Sequence, residues 1–294
     1  MTNVYTWRFK VRTYELDAFG HVNNVNYVHY MEEAATQAST AAGYDWDWYM
    51  AQRRIWVVRK WTVRYIQAAE YGDELAIHTW ISDLRRVRSH REFDIRRTRD
   101  DAPIVRARAD WVFVNLDTLR PTRIMGDFRA AFNLPEDQTL DDLNVRIRKP
   151  QPIADCHSYT TTHMVHLHEV DIAQHVNNAH YLHWIDYAYQ AACARAGWPL
   201  ERQMQELAFG ILAAGHEIEY FKPARLGDRV RIESRVVEGA RVRGAWIHEI
   251  YNDATDELLA RDYAVGAFVD LSGESPRPTR VPQVFMQAIL SGGG

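Results

Sequence analysis

Two stretches of the chain place a carboxylate four residues before an imidazole and follow it at once with Val-Asn-Asn. They are Asp17, His21, Val22, Asn23 and Asn24, and Asp171, His175, Val176, Asn177 and Asn178. A carboxylate can accept a proton or attack an electrophile, and a neutral imidazole both donates and accepts. An apolar periodicity of helical spacing begins just after each stretch. The backbone amides of residues 22–24 and 176–178 would then sit at a helix start, where unpaired N–H groups and the positive dipole end could face a developing negative charge. The same residues also suit a plainer role, since Asp is a common turn or cap residue and Asn-Asn a common helix opening.

The two stretches belong to an internal repeat, the feature that most constrains architecture. Residues 14–33 and 168–187 keep Glu15/Glu169, Asp17/Asp171, His21/His175, Val22/Val176, Asn23/Asn177, Asn24/Asn178, Tyr27/Tyr181 and His29/His183 at one offset. Tyr65, Gly72 and Asp73 recur as Tyr220, Gly227 and Asp228, and Arg-Pro-Thr-Arg recurs at 120–123 and 277–280. Retention of Asp, His and both Asn while neighbours drift weighs against a role in turn geometry alone.

The surrounding elements follow from periodicity. Trp7, Phe9 and Val11 alternate with basic residues as in a half-buried strand. Tyr27, Tyr30/Met31, Ala34/Ala35, Ala38 and Ala41/Ala42 form a helical stripe that Gly43 can end. Its alanines allow close approach of a sheet. Strands are expected near 55–67, 74–84, 88–98 and 104–116, the clearest alternation being Leu75, Ile77 and Ile81. One strand, one long helix and four strands describe an α+β hotdog layout, an antiparallel sheet wrapped round a central helix. The second copy repeats it: strand 157–168, a helix carrying Tyr181, Ile185, Ala188/Tyr189, Ala192 and Ala196 up to Gly197, then Val230, Ile232 and Val236 in the places of Leu75, Ile77 and Ile81. The expected organisation is a first hotdog over 1–125, a linker over 126–155 with Pro135 and a short helix-like stretch at 140–143, a second hotdog over 156–282, and a tail over 283–294.

A chain of 294 residues can bury two cores, and 47% hydrophobic with 25% charged residues is ordinary globular composition. The formal net charge of −4 offers no global reason to expect nucleic acid as a partner. Cys156 and Cys193 are too few for a disulfide scaffold, and no apolar leader or membrane span is evident, which together suggest a reducing cytoplasm.

The pattern Asp-x-x-x-His-Val-Asn-Asn-x-x-Tyr, between a strand and a long helix, resembles the 4-hydroxybenzoyl-CoA thioesterase-like hotdog family, and residues 168–189 look especially like its acyl-CoA and plant acyl-ACP thioesterases. The resemblance covers both halves and implies an acyl thioesterase built as a covalent pseudo-dimer, acting without a cofactor on acyl-CoA or acyl carrier protein, with further homo-oligomerisation open. It implies Asp17 and Asp171 as base or nucleophile, with His21 and His175 positioning substrate or water. Phe19 and Ala173 stand where the plant branch has Asn, and 67–69 and 222–224 hold no carboxylate where that branch has Glu. The Asp-centred mechanism of the acyl-CoA members therefore fits better.

Further candidates lie outside the motif. Arg86 and Arg88, matched by Arg241 and Arg243 and joined by Arg85 and Arg91, could hold CoA phosphates or an acidic carrier face, or simply be a solvated hairpin. Tyr27 and Tyr181 could border substrate but suit the core, and Glu15 and Glu169 read as solvated strand residues. The aromatic run at 44–49, with Trp198 as counterpart, could wall an acyl or aryl pocket or pack as core. His163, His166, His168, His180 and His183 lack a zinc-type spacing, so no metal is expected. Competing readings are a non-catalytic acyl-binding hotdog and, less well matched by the Asp17–His21 spacing, a hotdog hydratase or dehydratase.

Overall fold

A computed structural model describes residues 4–125, 127–134, 142–149, 153, 156–239, 241–273 and 275–293. The chain divides into two compact units, Met1–Arg146 and Ile147–Gly294.

The first unit runs β1 (Tyr5–Lys10), α1 (Asn24–Ala41), α2 (Trp46–Gln52), β2 (Arg54–Tyr65), β3 (Glu74–Leu84), β4 (Arg88–Arg97), β5 (Ala102–Asn115) and the short α3 (Phe128–Ala131). Its strands pair antiparallel in the order β1-β3-β4-β5-β2. The apolar stripe of α1 faces this sheet: Val25, Val28, Met31 and Ala34 are wholly buried, and Ala38 nearly so. Opposite them lie Trp61, Val63, Leu75, Ile77, Phe93, Ile95 and Ala107, equally buried. Each large apolar side chain buried this completely contributes roughly 1.5–3 kcal/mol. Alanine and serine on the last turns of α1 leave room that larger residues would fill, and aromatic side chains occupy it from the far side.

The second unit repeats the plan with β6 (Tyr159–Met164), α4 (His180–Arg195), α5 (Leu200–Leu207), β7 (Phe209–Tyr220), β8 (Arg229–Gly239), β9 (Arg243–Asn252), β10 (Leu258–Asp270), β11 (Arg277–Pro278) and α6 (Gln283–Ser291). Its strand order is β6-β8-β9-β10-β7, with β11 added against β10. Even an irregularity is copied: register slips between Ile81 and Asp83 on β3 and between Val236 and Glu238 on β8. Gly43 and Gly197, at φ +89° and +81°, end the two central helices in the left-handed conformation that only glycine adopts without strain.

Several expectations are corrected. Strand 157–168 stops at Met164, because residues 167–169 close a 3₁₀ turn instead. Within the stretch read as a linker, Phe128 and Phe132 are buried among Ile81, Leu84, Tyr44 and Trp56. Pro135 and residues 140–141 of that stretch lie outside the described residues. In the stretch read as a tail, residues 283–291 form α6, whose Phe285 and Ile289 sit one helical turn apart and pack against Tyr159, Phe209 and Trp246.

Candidate active site

In each unit the motif is a tight loop clamped to the start of the central helix. Glu15 organises its entry. It is only 5% exposed, and its carboxylate accepts from the Arg12 amide at 2.7 Å and from Arg12 Nη1 at 2.8 Å. Glu169 does the same work with other partners: the His166 amide at 2.7 Å, His163 Nε2 at 3.0 Å and the indole Nε1 of Trp184 at 2.7 Å. Burial works to raise the Glu169 carboxyl, but these hydrogen bonds outweigh it and hold the group below the ordinary value. Glu15 and Glu169 are therefore buried keystones of the loop and not solvated strand residues. Their retention in both copies was the signal.

Past the turn, the Asp17 amide donates to the His21 carbonyl at 2.7 Å, and Asp17 Oδ1 accepts from the amides of Phe19 at 2.8 Å and His21 at 3.1 Å. Asp171 repeats the pattern, donating to the His175 carbonyl at 2.8 Å and accepting from the Ala173 amide at 2.9 Å. In each unit Oδ1 of the aspartate thus shapes the loop. His21 and His175 are half-buried.

The amides expected as oxyanion donors are largely committed. Val22 donates to the Ala69 carbonyl at 2.8 Å and Asn23 to the Glu15 carbonyl at 2.9 Å; Val176 and Asn177 donate to Ala224 and Glu169, each at 2.9 Å. The reason is topological, because the loop is held by pairing with the strand-to-strand turn beside it. The side chain of Asn23 caps α1 by accepting from the Val25 amide at 3.0 Å, and Asn177 accepts from the Ala179 amide at 2.9 Å. The carbonyls of Asn24 and Asn178 accept the hydroxyls of Tyr65 at 3.1 Å and Tyr220 at 2.8 Å.

Tyr27 and Tyr181 lie in the core, 3% and 2% exposed. Their hydroxyls accept from the amides of Ala69 at 3.1 Å and Ala224 at 2.8 Å, and burial raises both above the ordinary phenol range. From the core they brace the turns at Ala69 and Ala224, the packing role that the sequence also allowed.

The two loops differ in one charge. In the first unit His21 forms a backbone bridge with Glu70, the residue after Ala69. The residue after Ala224 is Arg225, and burial together with this guanidinium lowers His175 below its ordinary value. The expectation that no carboxylate lies at 67–69 or 222–224 agrees with the residues there, but Glu70 adjoins the first loop.

Arg86, Arg88, Arg241 and Arg243 are exposed at the β3–β4 and β8–β9 hairpins. Arg91, one turn of strand further on, is instead buried. It lines a cavity of about 150 Å³ in the first unit together with Tyr44, Tyr49, Trp56, Trp111, Phe128 and Phe132. The aromatic run at 44–49 thus walls a pocket, with α2 presenting it over the alanine-rich end of α1. The rings of His163, His166, His168, His180 and His183 succeed one another at 5.4–6.2 Å between centroids. Among the described residues no group of three or more His, Cys, Asp or Glu is arranged to hold a metal ion, and no helix is long and apolar enough to cross a membrane.

Comparison with known proteins gives the same picture for each half. Residues 2–132 match the acyl-ACP thioesterase N-terminal domain, and residues 165–289 match the thioesterase-like superfamily. The oleoyl-acyl carrier protein thioesterase 1 of Arabidopsis thaliana is 23% identical over 196 residues, covering 62% of this chain and 53% of that protein. A palmitoyl-acyl carrier protein thioesterase of the same plant is 24% identical over 193 residues, covering 62% and 46%. The chain spans about half the length of these relatives. Among solved structures, a putative oleoyl thioesterase from Lactobacillus plantarum superimposes with a TM-score of 0.71 at 20% identity, over 90% of this chain and 96% of that one. The 12:0-ACP thioesterase from Umbellularia californica does so with a TM-score of 0.71 at 17% identity, over 94% and 95%. The matches favour the acyl-ACP branch over the acyl-CoA members that the missing Asn and Glu had suggested. The first half is thus similar to the acyl-ACP thioesterase N-terminal domain and the second to the thioesterase-like superfamily, and the fold is a double hotdog.

Proposed function

We propose that the protein is an acyl thioesterase that hydrolyses an acyl-carrier-protein or acyl-CoA thioester to a carboxylic acid and a thiol. The observation that carries this reading is the duplicated loop, in which Asp and His are fixed beside a helix start by a buried Glu and by backbone pairing. In the reaction water adds to the thioester carbonyl and the C–S bond breaks. As general base Asp17 or Asp171 takes the proton of the attacking water and passes it to the leaving thiolate; as nucleophile it expels the thiolate to form a mixed anhydride that water then cleaves, and the neighbouring His orients the water or the leaving sulfur. The aromatic cavity of the first unit is of a kind that takes an acyl or aroyl group. The exposed arginines of the hairpins supply positive charge for a phosphopantetheine or an acidic carrier surface.

The test is thiol release from acyl-ACP and acyl-CoA panels by the wild type, Asp17→Asn, Asp171→Asn and the double variant. Partial loss in each single variant with near-complete loss in the double makes both loops catalytic, and loss in one alone makes the other a scaffold. A second reading, a non-catalytic acyl-binding protein, draws support from the commitment of the Val22, Asn23, Val176 and Asn177 amides to carbonyls within the fold. It predicts acyl-group binding with no turnover on either panel.

A further inference from the structure

Arg91 is the anomaly of the first unit. It lies on β4 between Ile81 of β3 and Ala109 of β5, in the middle of a sheet, and is 7% exposed. Other poorly exposed arginines of that sheet each have a carboxylate: Arg97 has Asp73 and Asp100, and Arg108 has Glu92. Among the described residues no carboxylate pairs with Arg91. Its hydrogen bond is a long one, Nη1 to Thr79 Oγ1 at 3.4 Å, and its guanidinium carbon stands 5.5 Å from the centre of the Phe132 ring. Burial lowers the group to about 10, so it stays protonated at neutral pH. A buried charge without a counterion is costly unless something else satisfies it.

The fold itself does not ask for this charge. The equivalent strand position of the second unit holds Trp246, packed in an apolar core with Tyr159 and Tyr189. What distinguishes Arg91 is the cavity it borders. The walls there are aromatic, and the polar groups beside it, the Ser39 hydroxyl bonded to Tyr49 at 2.8 Å and the buried Ser89, carry no charge. A planar guanidinium at the edge of a mainly aromatic pocket matches a carboxylate in both charge and geometry.

We propose that this cavity selects an acyl group that ends in a carboxylate, with Arg91 as the residue that pairs with that end. The identity of the occupant as an acyl group rests on the thioesterase reading; the anion site rests on Arg91 and the cavity. A methyl-ended chain would leave the guanidinium buried and unpaired, which is how a polar pocket rejects an analogue lacking the matching group.

Two measurements separate the two claims. The first is binding of octanoate and of its neutral counterpart octanamide, followed by the fluorescence of Trp46, Trp56 and Trp111 in the cavity wall. Wild type should prefer octanoate by about 10-fold or more, the scale of a hydrogen bond to a charged group. Arg91→Met should abolish the preference, and Arg91→Lys should keep part of it. The second is hydrolysis of the CoA mono-thioester of octanedioic acid against octanoyl-CoA. Wild type should favour the former by roughly 10- to 100-fold in kcat/KM, chiefly through KM, and Arg91→Met should reverse the order. Equal binding of octanoate and octanamide by the wild type overturns the anion site, whether or not the variants fold. Hydrolysis of both thioesters with a ratio that Arg91→Met leaves unchanged overturns the selectivity and leaves the thioesterase reading standing. Arg91-dependent octanoate binding, with neither thioester cleaved as its CoA ester or as its acyl-carrier-protein ester, upholds the site and defeats the thioesterase reading.

Discussion

Asp17 and His21 are joined twice: the Asp17 amide donates to the His21 carbonyl at 2.7 Å, and the His21 amide donates back to Asp17 Oδ1 at 3.1 Å. This closed pair gives one carboxylate oxygen a structural role that its charge does not share. Asparagine keeps a side-chain oxygen for the loop but loses the charge. Asp17→Asn should therefore hold its melting temperature while thiol release at that site falls roughly 100- to 10,000-fold. Asp17→Ala should lose both, with a stability cost of about 1–2 kcal/mol from the missing acceptor. Melting curves and single-turnover rates of the two variants check this, and an active Asp17→Asn would make Asp17 a turn residue only.

Glu169 should prove more important to stability than its motif neighbours. Removing its carboxylate in Glu169→Ala strands the buried indole N–H of Trp184 and the His166 amide. The expected cost is about 2–3 kcal/mol by denaturant titration. Because the folded carboxyl is held low, its stabilisation is present above the unfolded value and disappears as pH falls through the folded one. Glu169→Gln should flatten that acid limb.

The second unit buries a row of polar and ionisable side chains. Ser234 Oγ lies 2.8 Å from His248 Nδ1, and His216 Nδ1 lies 2.8 Å from Asp262 Oδ2. All four residues are nearly inaccessible. Burial, aided by His216, pushes His248 down to about 4, so the fold holds it neutral. Its stability contribution is full above the unfolded value of 6.5 and is lost progressively as pH falls from there toward 4. For His216, burial opposes protonation but Asp262 overrides it and raises the group. That contribution is full below 6.5 and is lost as pH rises through the raised value. His248→Gln should remove the acid-side loss and Asp262→Asn the alkaline-side one, both read from stability measured across pH.

Charge at the β3–β4 hairpin offers a test of substrate docking. Arg86→Glu with Arg88→Glu should raise KM for acyl-ACP or acyl-CoA several-fold and leave kcat near its starting value. The wild-type KM should rise with salt and the variant's less so. An unchanged KM would make the hairpin merely solvated surface.

How much of this was legible beforehand can be argued from particular residues. Duplication was plain, because Asp17/Asp171, His21/His175 and the paired Asn residues stand at one offset. The strand at Glu74–Leu84 and the helix stops at Gly43 and Gly197 were readable, since alternation and glycine are local signals. The helices α2, α5 and α6 were not foreseen: they are short, and partners distant in sequence supply much of their packing.

The sequence by itself therefore determined the repeat, the hotdog layout and the candidate loop, all of which are written in spacing along one chain. Tertiary structure alone decided burial. It turned Glu15 and Glu169 from surface residues into keystones, committed the Val22 and Val176 amides to neighbouring carbonyls, and moved Arg91 from a basic hairpin into an aromatic cavity. The physical reason is that an ionisable residue reads alike on paper whether solvated or buried. Its chemistry is set by the partners that the folded chain brings from elsewhere.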